Sequence, residues 1–232
     1  MKNINNRKIV FDENVKLYRS NLVIDSFGNV SGRDKKTLLI KPSGVDLENS
    51  TSNDIVTVHI KDGKYAGDLK PSSDTPTHLE LYRAFPDVGG IAHTHSPYAT
   101  AWAQAGKSIP CLGTTHADYW NGDVPITRDL TKDEIYGEYE KETGNVIIEK
   151  IKDLNIDPLN CPGILVRNHG PFTWGATVED AVKHAELLEY IARLALLSIS
   201  INPDSKPISQ PLHNKHFSRK HGPDAYYGQD SD

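Results

Sequence analysis

Two histidines one residue apart, His93 and His95, close a short apolar run, Gly89-Gly90-Ile91-Ala92-His93-Thr94-His95. If that run is a strand, alternate side chains share a face, so both imidazoles project together above Ile91. Two neutral imidazoles on one face suit a divalent transition metal. His169 ends a second apolar run, Ile164-Leu165-Val166-Arg167-Asn168, and the Gly170-Pro171 behind it predicts a turn straight after. Catalytic zinc sites use three protein ligands and keep one position open, which makes His169 the third candidate.

Three other segments have the composition to hold an anion: Gly28-Asn29-Val30-Ser31-Gly32, Lys41-Pro42-Ser43-Gly44 and Lys70-Pro71-Ser72-Ser73. Each offers small residues that expose backbone N–H groups, with hydroxyls or a lysine beside them. The third runs into a helix start at Thr75-Pro76, where free N–H groups and the helix dipole favour a phosphate. Each segment taken singly reads equally well as a turn. By spacing alone Asp74 is a helix cap. His116 and His216 sit in polar segments and read as hydrogen-bonding rather than ligating residues. Tyr227 reads as an exposed tail tyrosine, and Trp102, Trp120 and Trp174 as packing residues.

The elements that must position these groups alternate between short strands and helices. Strands are expected over Thr37-Leu38-Leu39-Ile40-Lys41 and Ile55-Val56-Thr57-Val58-His59-Ile60, with a hairpin turn at Asp62-Gly63. The helix opened by Thr75-Pro76 carries Leu79, Tyr82 and Phe85 inward. Thr177 caps a long amphipathic helix in which Val178, Ala181, Val182, Ala185, Leu188, Ala192 and Ala195 fall at helical spacing. After Pro203 the tail has little periodicity and is expected to wrap over the surface. The class is α/β, one sheet covered by helices.

Composition narrows the function. The 232 residues suffice for one large domain, and a net charge of −5 leaves no basic footprint for nucleic acid. No run approaches the ~20 apolar residues of a membrane-spanning helix. The polar opening Met1-Lys2-Asn3-Ile4-Asn5-Asn6-Arg7-Lys8 does not read as a secretion signal, and Cys111 and Cys161 read as reduced thiols. These features fit a cytoplasmic enzyme.

The run Lys70-Pro71-Ser72-Ser73-Asp74-Thr75-Pro76-Thr77-His78, then His93-Thr94-His95-Ser96, then Gly113-Thr114-Thr115-His116-Ala117-Asp118-Tyr119 resembles the class II aldolase/epimerase family of zinc-dependent sugar-phosphate enzymes. Gly28-Asn29-Val30-Ser31, Lys41-Pro42-Ser43-Gly44-Val45-Asp46, Gly137-Glu138-Tyr139-Glu140, Glu142-Thr143-Gly144, His169-Gly170-Pro171-Phe172, Lys220-His221-Gly222 and Tyr226-Tyr227-Gly228-Gln229 match in order, so nearly the whole chain is covered. Residues 1–20 depart from it, being Asn- and Lys-rich where an Ala- and Leu-rich helix is expected.

The resemblance implies a three-layer α/β/α fold with a largely antiparallel central sheet, one domain spanning 1–232. It implies a four-fold homotetramer with active sites between neighbouring subunits, to which the 203–232 tail contributes. Its metal ligands would be His93, His95 and His169, with Asp74 as a further ligand or close neighbour; zinc is implied, with manganese or cobalt as substitutes. Gly28, Asn29, Lys41, Ser43, Gly44, Ser72 and Ser73 would hold the substrate phosphate. Asp118 and Tyr227 would be the acid/base pair, reaching in from the adjacent subunit.

The implied activity is epimerisation of L-ribulose 5-phosphate to D-xylulose 5-phosphate at C4, a step at which both arabinose and sugar-acid breakdown arrive. No carbonyl acidifies the C4 hydrogen, so the accessible route breaks the C3–C4 bond in a retro-aldol step. It leaves an enediolate and glycolaldehyde phosphate. A divalent metal stabilises the developing charge, the phosphate site retains the aldehyde, and re-addition to its other face inverts C4. One proton-transfer group is then needed on each face. A class II aldolase of the same family is the nearest alternative. Those aldolases carry Glu after the paired serines, where this chain has Asp74. A non-catalytic metal- or phosphosugar-binding protein is the other alternative, and it would need neither Asp118 nor Tyr227.

Overall fold

The computed structural model describes residues 2–24, 27–221 and 225–226. In chain order the elements are α1 (Lys2–Arg19), β1 (Asn29–Asp34), β2 (Thr37–Ile40), β3 (Val56–His59), α2 (Thr75–Ala84), β4 (Gly90–His93), α3 (Pro97–Ala105), α4 (Thr114–Ala117), α5 (Lys132–Tyr136), α6 (Tyr139–Leu154), β5 (Gly163–Val166), β6 (Gly170–Gly175), α7 (Val178–Ile201) and α8 (Gln210–His221). The strands form one six-stranded sheet in the order β3-β2-β1-β4-β6-β5, and every pairing in it is antiparallel.

Alternation along the strands sorts residues onto two buried faces. Val30 and Ala92 point towards α1 and α7, joining Leu17, Ala181, Val182 and Ala185. Leu38, Ile40 and Ile91 point the other way, into a core completed by Leu79, Leu81 and Tyr82 of α2 and by Ile147 and Ile151 of α6. With both faces covered, this is the expected α/β/α layering. Gly90 is a close-approach position: a Cβ there would lie 2.4 Å from Val178 Cα, so its absence lets α7 start against β4.

The expected local signals hold at both principal helices. Thr177 Oγ1 accepts from Asp180 N to cap α7, and Pro76 sits in the first turn of α2. The Asp62-Gly63 turn also forms, but the returning chain makes a single bridge, Tyr65 to Val58, in place of a strand.

The Asn- and Lys-rich N-terminal segment is a helix all the same, in which Val10, Asn14 and Leu17 share one buried face. Asn14 makes the docking possible: its amide donates to the Val30 carbonyl at 3.1 Å and accepts from Val30 N at 2.8 Å. Gly170-Pro171 does not turn the chain but opens β6. The turn comes earlier, over Arg167–His169, with Asn168 at φ +61° and its amide on Asp129 at 2.9 Å. The tail, expected to wrap over the surface with little periodicity, is helical over Gln210–His221, packs against α4 and buries His213. Among the described residues no helix is long and apolar enough to cross a membrane.

Candidate metal centre

The central strands bring Asn29, His93 and Phe172 into one row, because Asn29 pairs with His93 across β1/β4 and His93 with Phe172 across β4/β6. β4 stops at His93, so His95 stands in the short segment between β4 and α3. His169 closes the β5–β6 turn. One ring nitrogen from each of His93, His95 and His169 lies within 4.8 Å of the others, and among the described residues this is the group that could hold a metal ion. His93 Nε2 and His95 Nε2 are 3.1 Å apart. Two nitrogens on one tetrahedral zinc ion stand about 3.3 Å apart, so the spacing fits.

The tautomers fit as well. His93 Nδ1 lies 2.9 Å from the Pro171 carbonyl, which can only accept, so Nδ1 carries the proton and Nε2 presents its lone pair. Phe172 stacks on His93 at 4.1 Å, fixing the ring. Burial holds all three imidazoles below their ordinary pKa, His169 at about 3 with His93 and His95 adding to the effect. They are therefore neutral at physiological pH. His169 Nδ1 is buried without a hydrogen-bond partner. Convergent neutral imidazoles with an orphaned nitrogen are the donor set a borderline divalent ion takes.

Asp74 occupies the N-cap position of α2, but its side chain makes no cap hydrogen bond, which overturns the cap reading. Its Oδ2 instead accepts from Asn29 Nδ2 at 2.6 Å. Burial works to raise this carboxyl, and His93, His78 and the Asn29 amide outweigh it, leaving Asp74 ionised beside the histidines.

The three anion-type segments meet. Residues 41–43 and 70–72 run against each other, with Ser43 N donating to the Lys70 carbonyl and Ser72 N to the Lys41 carbonyl, both at 3.0 Å. Asn29 Nδ2 donates to Ser72 Oγ at 3.2 Å, joining the first segment to the third. Asn29, Lys41 and Ser72 are buried, while Ser43, Gly44 and Ser73 form an exposed rim. Gly28 has φ +95°, and a Cβ there would meet Val23 at 2.4 Å and the His93 carbonyl at 2.9 Å, so glycine is required. Asp118 is not in the histidine group; it closes α4 and is held by His216 and Arg219 of α8. Tyr227 lies outside the described residues.

One buried network carries no role in the sequence reading. His78 Nδ1 is 2.7 Å from Ser31 Oγ, which is 2.9 Å from Tyr82 OH. His78 follows Asp74 by four residues, one helical turn, and that spacing was the available signal.

Buried neutral histidines make stability depend on pH. Burial lowers His78 to about 3 and His116 to about 4. An unfolded histidine titrates near ~6.5, so below that pH the unfolded chain binds more protons and stability falls as pH falls. Each group contributes up to ~1.4 kcal/mol per pH unit between its two pKa values. Denaturant unfolding at pH 7 and pH 5 is expected to show a loss of a few kcal/mol; equal stability at the two would refute the neutral assignment.

Residues 10–196 match the family model described as "Class II Aldolase and Adducin N-terminal domain". Among solved structures the chain is similar to L-fuculose 1-phosphate aldolase, at 23% identity over 91% of this chain and 94% of that one, TM-score 0.76. An L-fuculose 1-phosphate aldolase from Glaciozyma antarctica PI12 is 19% identical over 93% and 81% of the two chains, TM-score 0.75. YgbL from Klebsiella pneumoniae is 23% identical over 91% and 97%, TM-score 0.70. At these identities the likeness is one of fold. The family match, covering most of the chain, gives the identity: this protein belongs to the class II aldolase and adducin N-terminal domain family.

Proposed function

We propose that this chain is a metal-dependent epimerase that converts L-ribulose 5-phosphate to D-xylulose 5-phosphate in cytoplasmic pentose breakdown. His93, His95 and His169, with Asp74 beside them, would hold a zinc ion, which would supply Lewis-acid stabilisation of the charge that develops as C3–C4 breaks; manganese or cobalt would substitute for it. Gly28, Asn29, Lys41, Ser43, Gly44, Ser72 and Ser73 retain the phosphate of the two-carbon aldehyde while it turns over. Asp118 and Tyr227 exchange a proton with the C4 oxygen on opposite faces. Both reach the site from the neighbouring subunit of a four-fold tetramer.

The observation that carries this reading is Asp74, tethered by Asn29 at 2.6 Å beside the histidines. An aldolase must deliver a proton to the carbanion carbon before its ketone product can leave. An epimerase must withhold that proton so that the carbon can re-add. A carboxylate one methylene shorter than Glu, and tied back by an amide, suits the second task.

Incubating the metal-loaded protein with L-ribulose 5-phosphate tests it. The expected product is the xylulose epimer at equilibrium. Net release of dihydroxyacetone and glycolaldehyde phosphate identifies an aldolase, and unchanged substrate a binding protein; either outcome overturns the proposal.

A further inference from the structure

Asp118, asked above to carry a proton, is not free to turn. Its Oδ1 accepts from His216 Nδ1 at 3.0 Å and from Arg219 Nε at 2.9 Å. Its Oδ2 accepts from Arg219 Nη2 at 2.6 Å. Two parallel bonds from one guanidinium fix the plane of a carboxylate as well as its position. Lys220 Nζ, 3.9 Å from Oδ2, adds charge without a hydrogen bond. α8 is fastened to the same segment elsewhere: His221 Nε2 lies 3.0 Å from the Asp118 carbonyl, Lys220 donates to Tyr119 OH at 2.9 Å, and Gly122 N donates to His213 Nε2 at 3.0 Å.

A carboxylate offers about four lone-pair sites. His216 and Arg219 take both on Oδ1, and Arg219 takes one on Oδ2. A single site remains, on Oδ2. We propose that Arg219 is a positioning residue whose two-pronged grip makes the remaining site on Asp118 Oδ2 the one that exchanges a proton with substrate. The inference rests on the epimerase reading. In the step it serves, the Oδ2 lone pair takes the proton of the C4 hydroxyl while the C3–C4 electrons pass to C3 and the C4–O bond becomes a carbonyl. After the aldehyde turns, the C3 electrons return and the new C4 oxygen takes a proton from the group on the other face. Burial opposes ionisation of Asp118, but the bonds from Arg219 and His216 and the charge of Lys220 outweigh it, so the carboxylate is ready to accept.

Arg219→Lys keeps the charge and cannot make the two-pronged grip. We expect kcat to fall ~10–100-fold with KM changed less than ~3-fold, and the acid limb of the kcat–pH profile to move up. In an Asp118→Asn background the same substitution is expected to cost less than ~3-fold, because the group it positions is already gone. Wild-type kcat and pH profile for Arg219→Lys, or an equal loss in both backgrounds, overturns the proposal. Melting temperatures of the wild type, both single variants and the double variant test the grip without substrate. A double variant no less stable than its weaker parent supports it, and additive losses overturn it. A wild type that does not epimerise removes the proposed function and Arg219's part in it, while the thermal cycle still decides whether the grip exists.

Discussion

Replacing His95 by Asn is expected to strip the metal centre while leaving the fold standing. His95 lies beyond the end of β4, and its ring is only partly buried. Its loss therefore takes no core volume with it. His93 differs, since it is fully buried, stacked on Phe172 and hydrogen-bonded to Pro171. With one of three nitrogens gone, metal content measured after dialysis should drop well below that of the wild type. Epimerase turnover should fall by roughly 10³-fold or more, the equivalent of losing ~4 kcal/mol of charge stabilisation. Chelator treatment of the wild type should do the same, and zinc, manganese or cobalt should restore part of the rate. Full activity in metal-free protein would refute the role given to the three histidines.

A second large effect is expected from mixing two inactive variants. If Asp118 serves a neighbour's metal, Asp118→Asn and His95→Asn damage opposite sides of the same interface. Random exchange in a four-fold ring makes about a quarter of the sites intact on both sides. Each parent should show ~10²-fold less activity than the wild type, or lower still. Their mixture, after subunit exchange, should regain about a quarter of the wild-type rate. A mixture that stays at the level of its parents, with exchange demonstrated, places Asp118 and His95 in one subunit's site and removes the shared-site arrangement.

Much of the three-histidine group is legible in the sequence because strand ends leave a clear trace. His93 and His169 each close an apolar run, and apolar runs of that length make short buried strands. The helix starts at Thr75-Pro76 and Thr177 were legible through capping chemistry, which acts within one turn of the chain. What escaped depends on partners far away in sequence. The N-terminal segment lacks the Ala- and Leu-rich composition expected of a packed opening helix, and it docks through Asn14, which meets the backbone of Val30. Gly170-Pro171 looks like a turn, and it opens a strand because Asn168 takes the left-handed conformation two residues earlier. Proline fits there because its missing N–H is not required by the pairing with Leu165. The tail looked aperiodic because α8 is held by polar side chains on Asp118 and Tyr119, which leave no hydrophobic stripe to read. Asp74 had a spacing that fits a cap, and only its bond to Asn29 separates the two roles.

If C4 inverts by breaking and remaking a carbon–carbon bond at the three-histidine centre, as proposed, heavy water leaves no mark on the carbon skeleton. L-Ribulose 5-phosphate is incubated in D2O with the metal-loaded protein, and the product is read by NMR and mass spectrometry. A retro-aldol route never breaks the C4–H bond and never protonates carbon. The expected product is D-xylulose 5-phosphate carrying ordinary hydrogen at C3 and C4, with no gain in mass on carbon. Deuterium at C4 would show that the hydrogen is removed and replaced, and would contradict the account outright.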